Sequence, residues 1–381
     1  MMDSFVPPFS QPAWDDLRLR LRQTRWPETI SAGSSLGIDR EFLEDLCGYW
    51  TNTFDWKAQL DRLATLHHYR YKAREGYIHF VYEKGRGSSP MPLILTHGWP
   101  GSFLEMLKIL PLLTDPAAYG YDAADSFDVV IPSLPGFGYS DRPRQIGMNF
   151  LRIAEVWAEL MNDLGYRRFA AQGGDFGAGV TTALGLRHSE QIIGIHLNYI
   201  PGSYRPYLPP GTAPTASEDP FLASAASWFD ENGAYAHLQG TRPNTPAYAL
   251  NDSPAGLAAW IVEKFRDWSD CDGDVYRSLT RDELLRNITL YWMTETISSS
   301  VRLYHEVRRA PLHFSADDFV HVPCGIAHFP KEIVFPPKEW VERGYNVQHW
   351  STMSKGGHFA AMEQPEILAA DIREFFRPHR R

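Results

Sequence analysis

Apolar positions in the first 68 residues recur at helical intervals. Trp14, Leu17 and Leu21 form one set, Phe42, Leu46, Tyr49 and Trp50 a second, and Trp56, Leu60 and Leu63 a third. Each set falls on one helix face, with Pro12 suited to a first turn and Asp39 to an N-cap. The pattern predicts a helical leader over residues 1–68 whose aromatic face packs against a core. From Tyr69 the period shortens. Apolar runs at 77–82, 92–96, 127–131, 168–172 and 192–199 are bounded by Gly/Pro loops and alternate with helical stretches. That alternation predicts βαβ units in a mostly parallel sheet.

The runs stop between 201 and 309, where Pro, Ala, Tyr and Trp are frequent and helical signals fall at 256–267 and 280–291. Strands resume at 320–322 and 345–350, and a last helix is predicted over 364–376. The chain therefore divides into a leader (1–68), an α/β core (69–200 and 310–381) and an inserted helical lid (201–309).

Composition narrows the class. Acidic residues outnumber basic ones, 46 to 37, for a net charge of −9, which weighs against nucleic acid or an anionic membrane as partner. Cys47, Cys271 and Cys324 are odd in number and lack CxxC spacing, so a reducing compartment without a disulfide framework is expected. Residues 1–8 have neither a basic n-region nor an apolar h-region. The most apolar stretch, 91–113, is broken by His97, Gly98 and Pro100 among others, short of the roughly 20 apolar residues a span needs. A soluble, cytoplasmic protein is the expectation.

The chemistry concentrates in a few turns. Gly173-Gly174-Asp175-Phe176-Gly177 places Asp175 where a strand-to-helix elbow holds its nucleophile, with Gly173 and Gly177 relieving the crowding. A carboxylate nucleophile suits displacement at saturated carbon, giving an alkyl ester that water then cleaves. An ordinary turn is the plainer reading of the same residues. His97-Gly98-Trp99-Pro100 follows a predicted strand. A backbone N–H there, at Trp99, and that of Phe176 can form an oxyanion hole. His97 itself reads as a hydrogen-bonded loop residue, and Trp99-Pro100 as a candidate cis peptide. His358, in Lys355-Gly356-Gly357-His358-Phe359, lies between the last strand and the final helix, the place of a general base. Glu332, just past the strand before it, is the candidate acid; Asp317 and Asp318 precede that strand and Glu339 comes later. With no Walker A, GxGxxG or spaced ligand cluster, no metal and no cofactor are expected.

Together these residues resemble the epoxide hydrolases of the α/β-hydrolase fold, specifically the microsomal and juvenile-hormone-type branch. The resemblance spans nearly the whole chain. It is carried by Thr24–Pro27, His97–Phe103, Pro135–Ser140, Gly173–Gly177, Ala249–Pro254, Phe329–Glu332 and Gly356–Ala361. It implies a mostly parallel eight-stranded sheet with helices on both faces, a helical lid and a helical leader. It further implies two lid tyrosines that hydrogen-bond the epoxide oxygen, at the positions of Tyr304 and Tyr235. The membrane anchor of the animal microsomal enzymes is missing, so the sequence looks like a soluble bacterial-type member. The implied reaction needs only a small-molecule epoxide and water; the aromatic-rich lid and leader suggest a bulky apolar epoxide, and a homodimer is left open. A haloalkane or haloacid dehalogenase, or a non-catalytic ligand-binding homologue, would share the scaffold. Phe176 cannot donate to a halide from its side chain, and all three triad members are present.

Overall fold

The computed structural model describes residues 2–30 and 36–380. Nine strands form one sheet: β1 (Met2–Ser4), β2 (His68–Ala73), β3 (Gly76–Glu83), β4 (Met91–Thr96), β5 (Phe127–Pro132), β6 (Phe169–Gly173), β7 (Ile192–Leu197), β8 (Val320–His328) and β9 (Tyr345–Thr352). Their order is β1-β2-β3-β5-β4-β6-β7-β8-β9. Pairs from β5 to β9 are parallel; those joining β1, β2, β3 and β5 are antiparallel.

The sheet has one strand more than the eight expected, and the extra one corrects the reading of the leader as wholly helical. Met2, Asp3 and Ser4 pair with Tyr71, Arg70 and Tyr69. Those partners lie more than sixty positions away, so no local period announces the strand. The leader's helices, Gln11–Arg22, Arg40–Asn52 and Trp56–Leu63, bury Trp14, Leu17, Leu21, Leu46, Trp50, Trp56 and Leu60. Asp39 occupies the N-cap position of the second but makes no capping bond, whereas Ser10 and Asp55 cap their neighbours.

Leu93, Ile94 and Leu95 in β4 and all six residues of β5 are buried, as strands covered on both faces must be. One cover is the helix Phe150–Asp163, started by Asn149 on the Arg152 N–H (3.1 Å). Its Trp157 indole N–H reaches Thr96 Oγ1 at the end of β4 (3.1 Å). The functional ends of β4, β6, β8 and β9 all face one side, the rule for open parallel sheets.

Six helices cover that side: Glu218–Asn232, Ala234–Thr241, Asn244–Leu250, Pro254–Trp268, Arg281–Thr294 and Ile297–Arg309. The leader grips the helix Arg281–Thr294 and the loop between Asn244–Leu250 and Pro254–Trp268. Tyr49 Oη donates to Asp282 (2.8 Å), while Arg281 pairs with Asp45 and Arg20 with Asp252 (both 2.6 Å). Among the described residues, no helix is long and apolar enough to cross a membrane.

Candidate active site

β6 ends at Gly173, and the helix Asp175–Arg187 begins with Asp175 at φ +47°. That conformation is unusual for a residue with a side chain and is typical of functional turns. The turn closes because its neighbours are glycine. A Cβ on Gly173 would overlap the Gly177 carbonyl, and one on Gly177 the Thr96 carbonyl. The Asp175 carboxylate therefore stands clear of the strand ends. Its Oδ1 accepts from the Trp99 N–H (2.8 Å), and Oδ2 lies 3.3 Å from His358 Nε2.

The loop after β4 behaves as its sequence suggests. His97 Nδ1 donates to the Gly98 carbonyl (2.9 Å), and Nε2 accepts from the Leu134 N–H (3.1 Å). Burial lowers its pKa to about 4, so it is a neutral brace. The Trp99–Pro100 peptide is cis. Phe176, in the first turn of its helix, has an N–H with no hydrogen bond among the described residues, as first-turn amides lack intrahelical partners.

β8 ends at His328, and Glu332 follows on the loop. His358 Nδ1 meets Glu332 Oε1 at 2.6 Å, and the same oxygen accepts from the Ile333 N–H (2.7 Å). Burial would lower the His358 pKa. The Glu332 charge and the hydrogen bonds that the ring donates to Asp175 and Glu332 more than reverse it, holding the imidazole well above its ordinary value. Tyr199 and Trp268 meet the His358 ring edge-on at 5.3 Å. Asp318 is spent elsewhere, pairing with Arg187 before β8 (3.1 Å).

Both lid tyrosines reach the site. Tyr235, on the helix Ala234–Thr241, stacks on Trp99 (5.7 Å, 10°), and Tyr304, on Ile297–Arg309, meets the same ring edge-on (5.5 Å, 88°). They share a cavity of about 540 Å³ with Asp175, walled also by Phe150, Phe176, Trp228 and Phe229. Burial, and after it nearby groups including Asp175, raises both phenol pKa values far above the ordinary 10. Both are neutral proton donors.

Three further groups escaped the sequence reading. Asn287 accepts from Ser102 Oγ and donates to the Pro100 carbonyl (both 2.8 Å), and Tyr291 donates to the Gly101 carbonyl (2.7 Å). Both sit on the lid helix Arg281–Thr294 and fix the loop that carries Trp99. Glu363 collects the N–H groups of Asp270 (2.7 Å), Gly357 (3.1 Å) and Phe359 (2.9 Å), pinning the chain on both sides of His358. Only Glu363 left a local signal, five residues past His358 at the start of the final helices.

Comparison with known proteins identifies the family. A family described as "Epoxide hydrolase N terminus" matches residues 2–106, and "alpha/beta hydrolase fold" matches 91–266. A Stigmatella aurantiaca protein, provisionally described as an epoxide hydrolase, is 45% identical over 373 residues, covering 96% of this chain and 83% of that one. Epoxide hydrolase 1 of Sus scrofa is 37% identical over 404 residues, covering 98% and 89%. The chain belongs to the epoxide hydrolase family. It is an enzyme that hydrolyses epoxides, and these relatives lend nothing to the dehalogenase or non-catalytic readings. Among solved family members, the juvenile hormone epoxide hydrolase of Bombyx mori superposes with TM-score 0.87 at 28% identity, covering 100% of this chain and 95% of that one. The Aspergillus niger epoxide hydrolase gives 0.85 at 29%, covering 99% and 96%.

Proposed function

We propose that this epoxide hydrolase converts a bulky apolar epoxide, aryl- or alkyl-substituted, to a vicinal diol through an ester on Asp175. An Asp175 oxygen attacks a ring carbon; the C–O bond breaks, and the departing oxygen takes a proton from Tyr235 or Tyr304. A phenol with a raised pKa stays protonated until an alkoxide, a stronger base, forms beside it. His358 then removes a proton from water, whose oxygen attacks the Asp175 carbonyl carbon. The Trp99 and Phe176 N–H groups stabilise the oxyanion, each by roughly 3 kcal/mol in comparable sites. Collapse frees the diol: the proton left on the attacking oxygen passes to the departing oxygen, and His358 keeps the proton it took as the Asp175 charge returns beside it.

The charge pattern links the two steps. In the free enzyme His358 lies between two carboxylates and holds its proton tightly. Esterification removes the Asp175 charge, so the histidine pKa falls, its proton passes to the phenolate left by the first step, and the neutral ring is a base when a base is needed.

The observation that carries this reading is the continuous chain Glu332–His358–Asp175 opening into a cavity walled by aromatic rings and two neutral phenols. The apolar wall supports a bulky hydrophobic substrate. All three cysteines are free and buried, which supports a reducing, cytoplasmic setting. The test is a single turnover in ¹⁸O-water with enzyme in excess over styrene oxide. Unlabelled diol and label on Asp175 are expected. Labelled diol with an unlabelled Asp175 peptide means direct attack by water and overturns the ester.

A further inference from the structure

A second, smaller cavity shares Asp175 with the substrate cavity but includes neither lid tyrosine. It is about 10 Å³ and is lined by Trp99, Glu105, Asp175, Asn198 and His358, among others. That volume is at the lower limit for one water molecule. A water there would lie beside both the atom to be attacked and the base.

Of the charged residues in this lining, only Glu105 has no role in the steps above. It sits in the short 3-10 turn Phe103–Leu107, started by Ser102 Oγ on the Leu104 N–H (3.3 Å). Its carboxyl rests directly on Gly101, where a Cβ would overlap Oε1, so the glycine is what admits it. The residue keeps some accessible surface, yet Oε1 is buried with no hydrogen-bond partner among the described residues. A buried polar oxygen left unpaired is costly, and a water donating to it from the cavity would offset that cost.

The carboxyl is also in an unusual charge state. Burial first, and then the Asp175 charge, raises its pKa to about 8; the His358 charge and the Gly98 and Ser102 amides pull the other way. Tyr291 is a further titratable neighbour. The geometry leaves one buried Glu105 oxygen free to accept a hydrogen bond.

We infer that Glu105 is a positioning residue for the hydrolytic water, accepting one of its O–H bonds while His358 Nε2 takes the other proton. The two acceptors turn the water's lone pair toward the Asp175 carbonyl carbon. This inference rests on the covalent ester proposed above.

The test follows both half-reactions by rapid quench with styrene oxide, reading the Asp175 adduct by mass spectrometry in wild type, Glu105→Met and Glu105→Gln. Methionine keeps the volume and loses the acceptor. Its adduct should form within about threefold of the wild-type rate and decay at least about tenfold more slowly, since misplacing a reactant by an ångström can cost 10²-fold. Glutamine keeps a carbonyl acceptor and should restore decay. Equal slowing of both steps in Glu105→Met, or a Glu105→Gln as slow as the methionine variant, overturns the assignment. If the methionine variant does not fold, a Glu105→Gln decay more than about tenfold slower than wild type overturns the assignment on its own. If wild type itself forms no adduct, the ester mechanism fails and the role of Glu105 fails with it.

Discussion

A Cβ on Gly98 would fall on the Cβ and Oδ1 of Asp175. The nucleophile and the loop that holds it are thus packed backbone to side chain. Gly98→Ala must displace the carboxylate from the Trp99 N–H. Adduct formation should fall by about 10²-fold, the scale of a small misplacement of reacting groups. Rapid-quench kinetics would show it; wild-type alkylation in this variant would mean that the loop yields freely.

In the proposed mechanism the two phenols act on the departing oxygen of the first step. Tyr235→Phe and Tyr304→Phe should each slow adduct formation and leave its decay untouched. The double variant should lose roughly 10²–10⁴-fold, the range of general acid catalysis. A single variant with no effect on alkylation would remove that tyrosine from the proton-donor role.

His358→Gln separates the steps in the opposite way. Alkylation should persist and the ester should accumulate to one equivalent, visible as an intact-protein mass shift equal to one substrate. Absence of the adduct would reassign the base.

The pH dependence of ester decay follows from the charges on His358. Hydrolysis needs the neutral imidazole, and Glu332 is the largest influence raising its pKa. Decay should therefore rise with pH through the His358 pKa of the intermediate. Glu332→Gln should shift that rise to lower pH while reducing the plateau. A rise that stays in place would show that Glu332 orients the ring without tuning it.

Glu363→Ala strips three backbone N–H groups of their acceptor. A loss on the order of 2 kcal/mol in urea unfolding is expected, together with slower ester decay, because His358 sits inside the loosened loop. Unchanged decay at reduced stability would confine Glu363 to folding.

The residues legible in the sequence are those whose role is imposed by local geometry. Asp175 needs glycines two positions to either side, Trp99 needs the turn after β4, and His358 needs the turn after β9. Each such requirement leaves its mark within a few residues. Central strands such as β4 and β5 are equally plain, because burial on both faces demands unbroken apolar runs. What stayed hidden depends on partners far along the chain. β1 has three residues and borrows its pairing from Tyr69–Tyr71. Asn287 and Tyr291 look like any polar residues of an amphipathic helix until the fold sets them against Pro100 and Gly101.

Two lid helices are anchored very differently. Arg281–Thr294 is tied to the nucleophile's loop through Asn287 and Tyr291 and to the leader through Arg281 and Asp282. Glu218–Asn232 buries only Glu218 yet supplies Trp228 and Phe229 to the cavity wall. Replacing Trp228 and Phe229 would therefore reshape one side of the cavity while the hydrogen bonds among Glu332, His358 and Asp175 stay in place.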